Sequence, residues 1–507
     1  MKKISILIFL SVGTLFSQNS IADSIRQNFE QNVKKYVLPN GLRVILMKNK
    51  ITPSIACYLK IGVGAANEPF DLAGTAHMLE HMLFKGTKEL GTRNYDREKI
   101  YLEQIAVDGE RVDTINRILS DPLLDKQTKK KLLEKKKRIE KRLAFLQKIA
   151  SRFVLSEEDS TAYSLAGQTG YNAYTSADVT NYQIQLPANR LELWSWLESQ
   201  KFLNPVFREY YAERKVVREE RRMRYESRPA RMMYEVYLKT SFGFHPYGKP
   251  VIGFASNIEK LKLSETKKFF EENYIPSRMV IAIVGDIEFD SAIATVQKYF
   301  GKLPAKKPVE FPPIQDDISS YRREAVYFAK DRPYMITGWR KPSIQDKNNV
   351  AFEVLSRALT DGQNSRLVKR LVIEEKLATS VSSYNGNPGE KLNNDFTIFV
   401  RPFREQDYAK IEKIIYEELE KIQKEGLSKE ELTRIKNNYL AEMVSSLQSN
   451  AGLADALTYY ELLLGDYREF YRFIDRLDNI NAKIISDIVR KYLRYDRATL
   501  VVLKQPK

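Results

Sequence analysis

The sequence predicts an α+β fold of two similar domains, each a mostly antiparallel sheet packed with helices, plus a basic helical hairpin inserted into the first. Three observations carry that expectation. Strand-length apolar runs alternate with longer runs of helical apolar spacing along the 507 residues. The order of elements repeats on either side of a proline-rich stretch, "LPAKKPVEFPPIQDD", whose Pro304, Pro308, Pro312 and Pro313 mark a linker. A chain of this length, 43% hydrophobic, also exceeds the roughly 250–300 residues that one core organises.

Residues 1–22 have the form of a signal peptide: Lys2 and Lys3, an apolar run from Ile4 to Phe16, and the small-residue cleavage motif Ser20-Ile21-Ala22. They predict a periplasmic or secreted protein whose mature chain starts near Asp23, with an inner-membrane anchor by an uncleaved signal as the alternative. The apolar run is shorter than the roughly 20 residues of a spanning helix, and no other segment approaches one. The first domain is expected over 23–303, a linker over 304–318 and the second domain over 319–507. In the first, "VKKYVLPNGLRVILMKNK" places two strands around the turn dipeptide Asn40-Gly41, and "PSIACYLKIGV" adds a third. Cys57, the only cysteine, reads as a small buried strand residue and excludes an intrachain disulfide. A buried helix is expected from Asp71 to Phe84. Strands resume at "GYNAYTSADVTNYQIQLP", helices cover Leu191 to Lys201 and Glu209 to Tyr225, and "RMVIAIVGDI" is a near-continuous apolar strand. After the linker, "REAVYFAKDRPYMITGWRK" again gives two strands, "NNVAFEVLSRALTDG" a helix, and "RATLVVLK" a closing apolar strand.

The formal net charge of +17 raises nucleic acid as a partner, but the excess is local. It is concentrated in "DKQTKKKLLEKKKRIEKRLAFLQKIASRF", where Leu132, Ile139, Leu143, Leu146 and Ala150 form one apolar stripe on a charged helix. With the amphipathic run before it and Asp121-Pro122 between them, this is the inserted helical hairpin, about residues 95–160. It reads as a solvated strut, with a docking arm for a partner or an anionic surface as the second reading. With an export signal in front, nucleic acid is not an expected partner.

The chemistry concentrates in "HMLEHMLFKGT". It holds two of the chain's three histidines, His77 and His81; the third, His245, lies far downstream. On a helix, His77 and His81 are one turn apart on one face, so both imidazoles can bind a single ion. Glu80 stands beside them, placed to act on water at that ion, and the order is that of the HxxEH signature. Two imidazoles, a carboxylate and water suit Zn²⁺. A further protein ligand is needed, and "YYAERKVVREERRMRYE" offers Glu213 and Glu220, seven apart on one helix face, which taken alone read equally as a solvated face.

Together with "NAYTSADVTNYQIQLP", "ERKVVREE", "HPYGKPVIG" and "GDIEFDSAIATVQKYFGKLP", in that order, "LAGTAHMLEHMLFKGT" resembles the pitrilysin/insulinase family of zinc metallopeptidases, in its mitochondrial-processing-peptidase-like branch of two-domain subunits. The resemblance implies His77, His81 and Glu220 as ligands of one zinc ion per chain, Glu80 as general base and Glu213 as a supporting acid, with neighbouring Glu219 out of register. It also implies that Asn172, Ala173, Tyr174, Thr175 and Ser176 form the edge on which an extended substrate lies. The implied activity is hydrolysis of extended peptides or unfolded protein segments by activated water, without a covalent intermediate.

One departure bears on that activity. Active family members use an Arg and a Tyr seven residues apart in the second domain to hold substrate and stabilise the oxyanion. The matching positions here, within "SRLVKRLVIEEKLATSV", are Val372 and Thr379, and nearby Arg366, Arg370 and Tyr384 do not restore the pair. A complete zinc motif without that pair resembles the zinc-site subunit of a heterodimer, which implies a paralogous partner supplying Arg and Tyr. The alternative is a non-catalytic scaffold subunit of the same fold.

Overall fold

The computed structural model describes residues 18–309 and 321–506. The expected signal segment up to residue 17, and the expected linker from residue 310 to its end, lie outside the described residues. A helix spans Gln18–Asn32, across the expected cleavage point, and Phe29 stacks on Phe470 while Arg26 pairs with Asp475 at 2.8 Å. Among the described residues, no helix is long and apolar enough to cross a membrane.

Two sheets organise the chain. The first is built from β1 (Val33–Val37), β2 (Arg43–Lys48), β3 (Ser54–Ile61), β4 (Thr169–Thr175), β5 (Thr180–Pro187) and β6 (Met279–Gly285), in the order β1-β2-β6-β3-β5-β4. The second contains β7 (Arg323–Phe328), β8 (Tyr334–Lys341), β9 (Ala378–Asn387), β10 (Asn394–Pro402) and β11 (Ala498–Lys504), in the order β7-β11-β8-β10-β9. With β1 set aside, the two orders are the same: the last strand of each half runs parallel to the first and antiparallel to the second, and an antiparallel pair closes the far edge. Each sheet is therefore mostly antiparallel, with one parallel pair. Strand β6, in the middle of the first sheet, is a continuous apolar run because both of its faces are covered; every one of its residues is buried.

The covering is reciprocal. A helix of the C-terminal half, Asn450–Leu464, packs on β3 and β6, while a helix of the N-terminal half, Pro229–Phe242, packs on β7, β8 and β11. Polar ties reinforce both seams. Buried Lys60 on β3 is paired with Asp455 and bonds Thr458 at 3.0 Å, and Asp395 on β10 accepts from Tyr237 Oη at 2.7 Å and Arg340 Nε at 2.8 Å. Buried Asp178, in the turn after β4, accepts from Tyr247 Oη at 2.5 Å and from the Glu390 amide at 2.6 Å. Cys57 is fully buried on β3.

Between β3 and β4 lie helices Tyr95–Leu119 and Lys126–Ala150, each of 25 residues, packed against one another. Side-chain caps start both: Asn94 accepts from the Arg97 amide and Asp125 from the Thr128 amide. The helix expected over Asp71 to Phe84 is shorter and broken. A single turn at Phe70–Leu72 is followed by a helix over Thr75–Met82. The break falls at Gly74, whose φ of +102° favours glycine, and where a Cβ would stand 2.7 Å from the Ile252 carbonyl oxygen.

Candidate metal and peptide-binding site

The Thr75–Met82 helix is capped by a buried acid. Glu68 accepts from the Gly74 amide at 2.8 Å and the Ala76 amide at 2.6 Å, satisfying donors that the helix start leaves free. Burial pushes Glu68 up to about 7, against the pull of nearby Lys249. Two faces of the helix are buried in different directions: Leu79 joins the core over the first sheet, and Met78 and Met82 join a second cluster with Tyr210, Tyr211 and Val217. The remaining face presents His77, Glu80 and His81.

The opposing wall is the helix Tyr210–Arg221, held by its buried Tyr210, Tyr211 and Val217 and by Arg221, which pairs with Glu235 at 2.6 Å. Its acidic residues two turns apart face the imidazoles. Glu220 Oε2 stands 3.4 Å from His81 Nε2 and 3.8 Å from His77 Nε2. Glu213 Oε1 lies 2.9 Å from His81 Nδ1. Glu219 points outward and pairs with Arg222, so Glu220 is the residue in register.

Each of the two carboxylates has a cation on its far oxygen. Lys85 Nζ lies 2.7 Å from Glu213 Oε2, and Arg224, from the π-helical turn Arg222–Glu226, lies 2.9 Å from Glu220 Oε1. One oxygen of each is thus turned toward the histidines. The His81 imidazole beside it holds Glu220 below the usual carboxylate range, against the effect of burial. Burial opposes charge on both histidines. At His77 it prevails, with help from His81, and the value falls to about 4; at His81 the Glu213 and Glu220 carboxylates outweigh it and push the value up to about 9.

The donor set fits a zinc ion. One donor atom each from His77, His81 and Glu220 lies within 4.8 Å of the others, and Glu220 Oε2 is buried without a hydrogen-bond partner. Two imidazole nitrogens and one carboxylate oxygen are the three-ligand set of open zinc sites. The Glu213 contact to His81 Nδ1 has the form of the outer bond that, in metal sites, fixes the tautomer and orientation of a ligand imidazole.

Glu80 lies outside that triad. Its Oε2 accepts from Thr175 Oγ1 at 2.5 Å, and burial holds it above the usual carboxylate range although that bond pulls the other way. Thr175 ends β4, the edge strand, whose Asn172, Ala173, Tyr174 and Thr175 pair inward with β5. Among the described residues no strand covers the outer side of β4. Ser176 lies just past its end, where its amide donates to the Val179 carbonyl. A cleft of about 530 Å³ runs beside this edge, lined by Glu80, His81, Asn172 and Ala173 and by the segment from Val154 to Asp159 that follows the hairpin.

In the C-terminal half, Val372 is half-buried against the core and the Thr379 hydroxyl donates to the Arg401 carbonyl at 3.2 Å. Of the neighbouring residues, Arg366 pairs with Glu431 at 2.7 Å and Arg370 with Glu418 at 2.9 Å, while exposed Tyr384 lies edge-on to Phe399. His245 accepts from the Tyr247 amide, in another part of the fold.

Sequence reasoning missed Glu68, Lys85 and Arg224, and the tie between Thr175 and Glu80. A signal existed for two of them. Lys85 is four residues after His81 and Arg224 four after Glu220, the helical spacing that keeps a side chain on the same face.

Known proteins resemble this chain along most of its length. The sequence model for Insulinase (Peptidase family M16) matches residues 43–105, which contain His77, Glu80 and His81, and that for Peptidase M16 inactive domain matches residues 260–439, which contain Val372 and Thr379. The chain is 26% identical to the zinc protease PqqE of Helicobacter pylori, over 99% of this chain and 100% of that one. It is 23% identical to the uncharacterized zinc protease YmxG of Bacillus subtilis, over 93% and 98%. The fold matches the crystal structure of a protease from Helicobacter pylori with a TM-score of 0.76, at 24% identity over 93% of this chain and 99% of that one. The chain belongs to the insulinase family, peptidase family M16.

Proposed function

We propose that the chain is a zinc-dependent endopeptidase subunit acting on extended peptides or unfolded protein segments. The observation that carries this reading is the convergence of His77, His81 and Glu220 beside a free sheet edge, with Glu80 tied to that edge through Thr175. When bound, zinc supplies a Lewis acid that polarises a carbonyl and lowers the pKa of water. His77, His81 and Glu220 hold it; Glu213, backed by Lys85, orients His81; Arg224 leaves one Glu220 oxygen to the metal.

Asn172 to Ser176 receive the substrate backbone as an added strand, which selects segments already unfolded. Glu80, with its raised proton affinity, takes the proton of the attacking water and returns it to the leaving amine. The halves close through a partner: a paralogous subunit supplies the Arg and Tyr that Val372 and Thr379 do not. Export by the leading segment makes the reading one of a periplasmic or secreted enzyme.

A non-catalytic scaffold is the second reading, favoured by the apolar environment of Val372 and the local bond of Thr379. Elemental analysis of the purified chain, with hydrolysis of an unfolded polypeptide measured with and without an Arg/Tyr-bearing paralogue, separates the two. One zinc per chain and cleavage only in the mixture support the proposal. A metal-free chain inert in the mixture establishes the scaffold, and full hydrolysis by the lone chain removes the partner.

A further inference from the structure

The inserted hairpin carries a surface that the peptidase reading does not use. Helix Lys126–Ala150 holds eleven basic residues against two acidic ones. Its inner face packs on the first helix of the hairpin through Leu132, Ile139, Leu143 and Leu146. On the opposite face Lys126, Lys130, Lys137, Lys141 and Lys148 recur at steps of four and seven, which sets them in one exposed stripe about 33 Å long. Leu133 and Phe145 are exposed on either side of it, and Leu123, in the turn that joins the helices, is 91% exposed.

The stripe is not neutralised from within. Among the described residues, the ion pairs of this helix involve Lys136 with Glu140 and Arg142 with Asp108, both off the stripe, and none of the five lysines shares one. In the C-terminal half, by contrast, the helix arginines Arg357, Arg366 and Arg370 each reach a carboxylate. Unpaired lysines interleaved with exposed large apolar side chains match a surface that is anionic and has an apolar layer beneath its charge. A soluble polyanion would engage the lysines and leave Leu123, Leu133 and Phe145 in water.

We propose that this face of the hairpin docks on a lipid bilayer bearing anionic headgroups, with the lysine stripe at the phosphates and Leu123 and Phe145 in the interfacial layer. The base of the arm is fixed to the site: Leu146 and Ala150 share a cluster with Met78 and Met82 on the back of the motif helix, and the segment after the arm lines the cleft. Docking would therefore hold the cleft by the bilayer surface without a spanning helix.

The test is co-sedimentation of the full chain with phosphatidylcholine vesicles, with and without phosphatidylglycerol, at low and high salt. Binding is expected to anionic vesicles alone and to weaken with salt. Each stripe lysine is worth roughly fivefold, so replacing Lys130, Lys137, Lys141 and Lys148 with Gln should weaken binding by roughly several hundredfold while thermal unfolding is unchanged. A Leu123→Ser/Phe145→Ser variant should lose vesicle affinity and keep its binding to soluble heparin. Failure to sediment with anionic vesicles at low salt would overturn the proposal. So would wild-type vesicle binding by the Leu123→Ser/Phe145→Ser variant, which would show that the lysines engage an anion without the interfacial layer, as they would a soluble polyanion.

Discussion

The helix that follows β3 and the helix that follows β8 hold the same place in two sheets of the same strand order, yet their sequences do different things. In Thr75–Met82, one face of three is given to His77, Glu80 and His81. Asn349–Thr360 is filled with core along its length: Val350, Ala351, Phe352, Val354, Leu355, Ala358 and Leu359 are all buried. The first helix is short and held from outside, by Glu68 at its start and Glu213 and Lys85 at its side; the second is longer and held by its own apolar face. The same architecture thus tolerates a polar constellation in one half because a second helix, through Tyr210, Tyr211 and Val217, packs with Met78 and Met82 beside it.

The sharpest way to break that comparison is Glu80→Gln. The amide keeps the bond partner for Thr175 but cannot take a proton, so hydrolysis by the assembled enzyme should fall by about 10²–10⁴ while zinc content stays at wild type. Retained hydrolysis would place the base elsewhere. The counterpart experiment in the other half is Leu355→Ala. Leu355 is fully buried, and its truncation should cost about 2–5 kcal/mol of stability, read by denaturant unfolding, with zinc affinity unchanged. A loss of zinc in that variant would show that the halves are not separable in function.

Next in size is Glu213→Gln. Removing the charge that faces His81 Nδ1 and Lys85 Nζ should weaken zinc binding by about 10–100-fold, measured by competition with a chelator, with little change in folding. Unchanged affinity would reduce Glu213 to a helix-surface acid.

The same comparison explains what could be read from the sequence. The strands of both sheets were legible because interior strands such as β6 and β11 are apolar runs of strand length, and the repeated order pointed to two similar halves. The shared face of His77 and His81 follows from spacing alone. The break at Gly74 does not, since it depends on Glu68 reaching forward and on the Ile252 carbonyl lying against it, a contact made across the chain. Spacing put Glu213 and Glu220 on one face without saying where that face points; the buried Tyr210, Tyr211 and Val217 decide it. The reciprocal covering of each sheet by a helix of the other half was not legible, because nothing in the sequence of Asn450–Leu464 says that it packs on β3 and β6, strands of the N-terminal half.

Two buried lysines on equivalent strands give the smallest effect. Lys60 on β3 faces Asp455 across the seam, whereas Lys341 at the end of β8 has, among the described residues, the Pro342 carbonyl and Asn349 Oδ1 within hydrogen-bond reach, at 3.1 and 3.2 Å. Burial pulls Lys341 down to about 8, against the attraction of Glu390 and other acids. Below that pH the lysine is charged in both folded and unfolded chains and its contribution to the pH dependence is flat. Between about pH 8 and the ordinary lysine range the unfolded chain binds the proton and the folded one does not, so stability rises with pH, by about 3 kcal/mol in all. Lys341→Met should therefore unfold with a shallower pH slope above pH 8 than the wild type and be the more stable of the two at neutral pH. Unfolding curves that run parallel from pH 8 to 10 would mean that Lys341 keeps its proton in the folded state, with Glu390 as the counter-charge that Lys60 finds in Asp455.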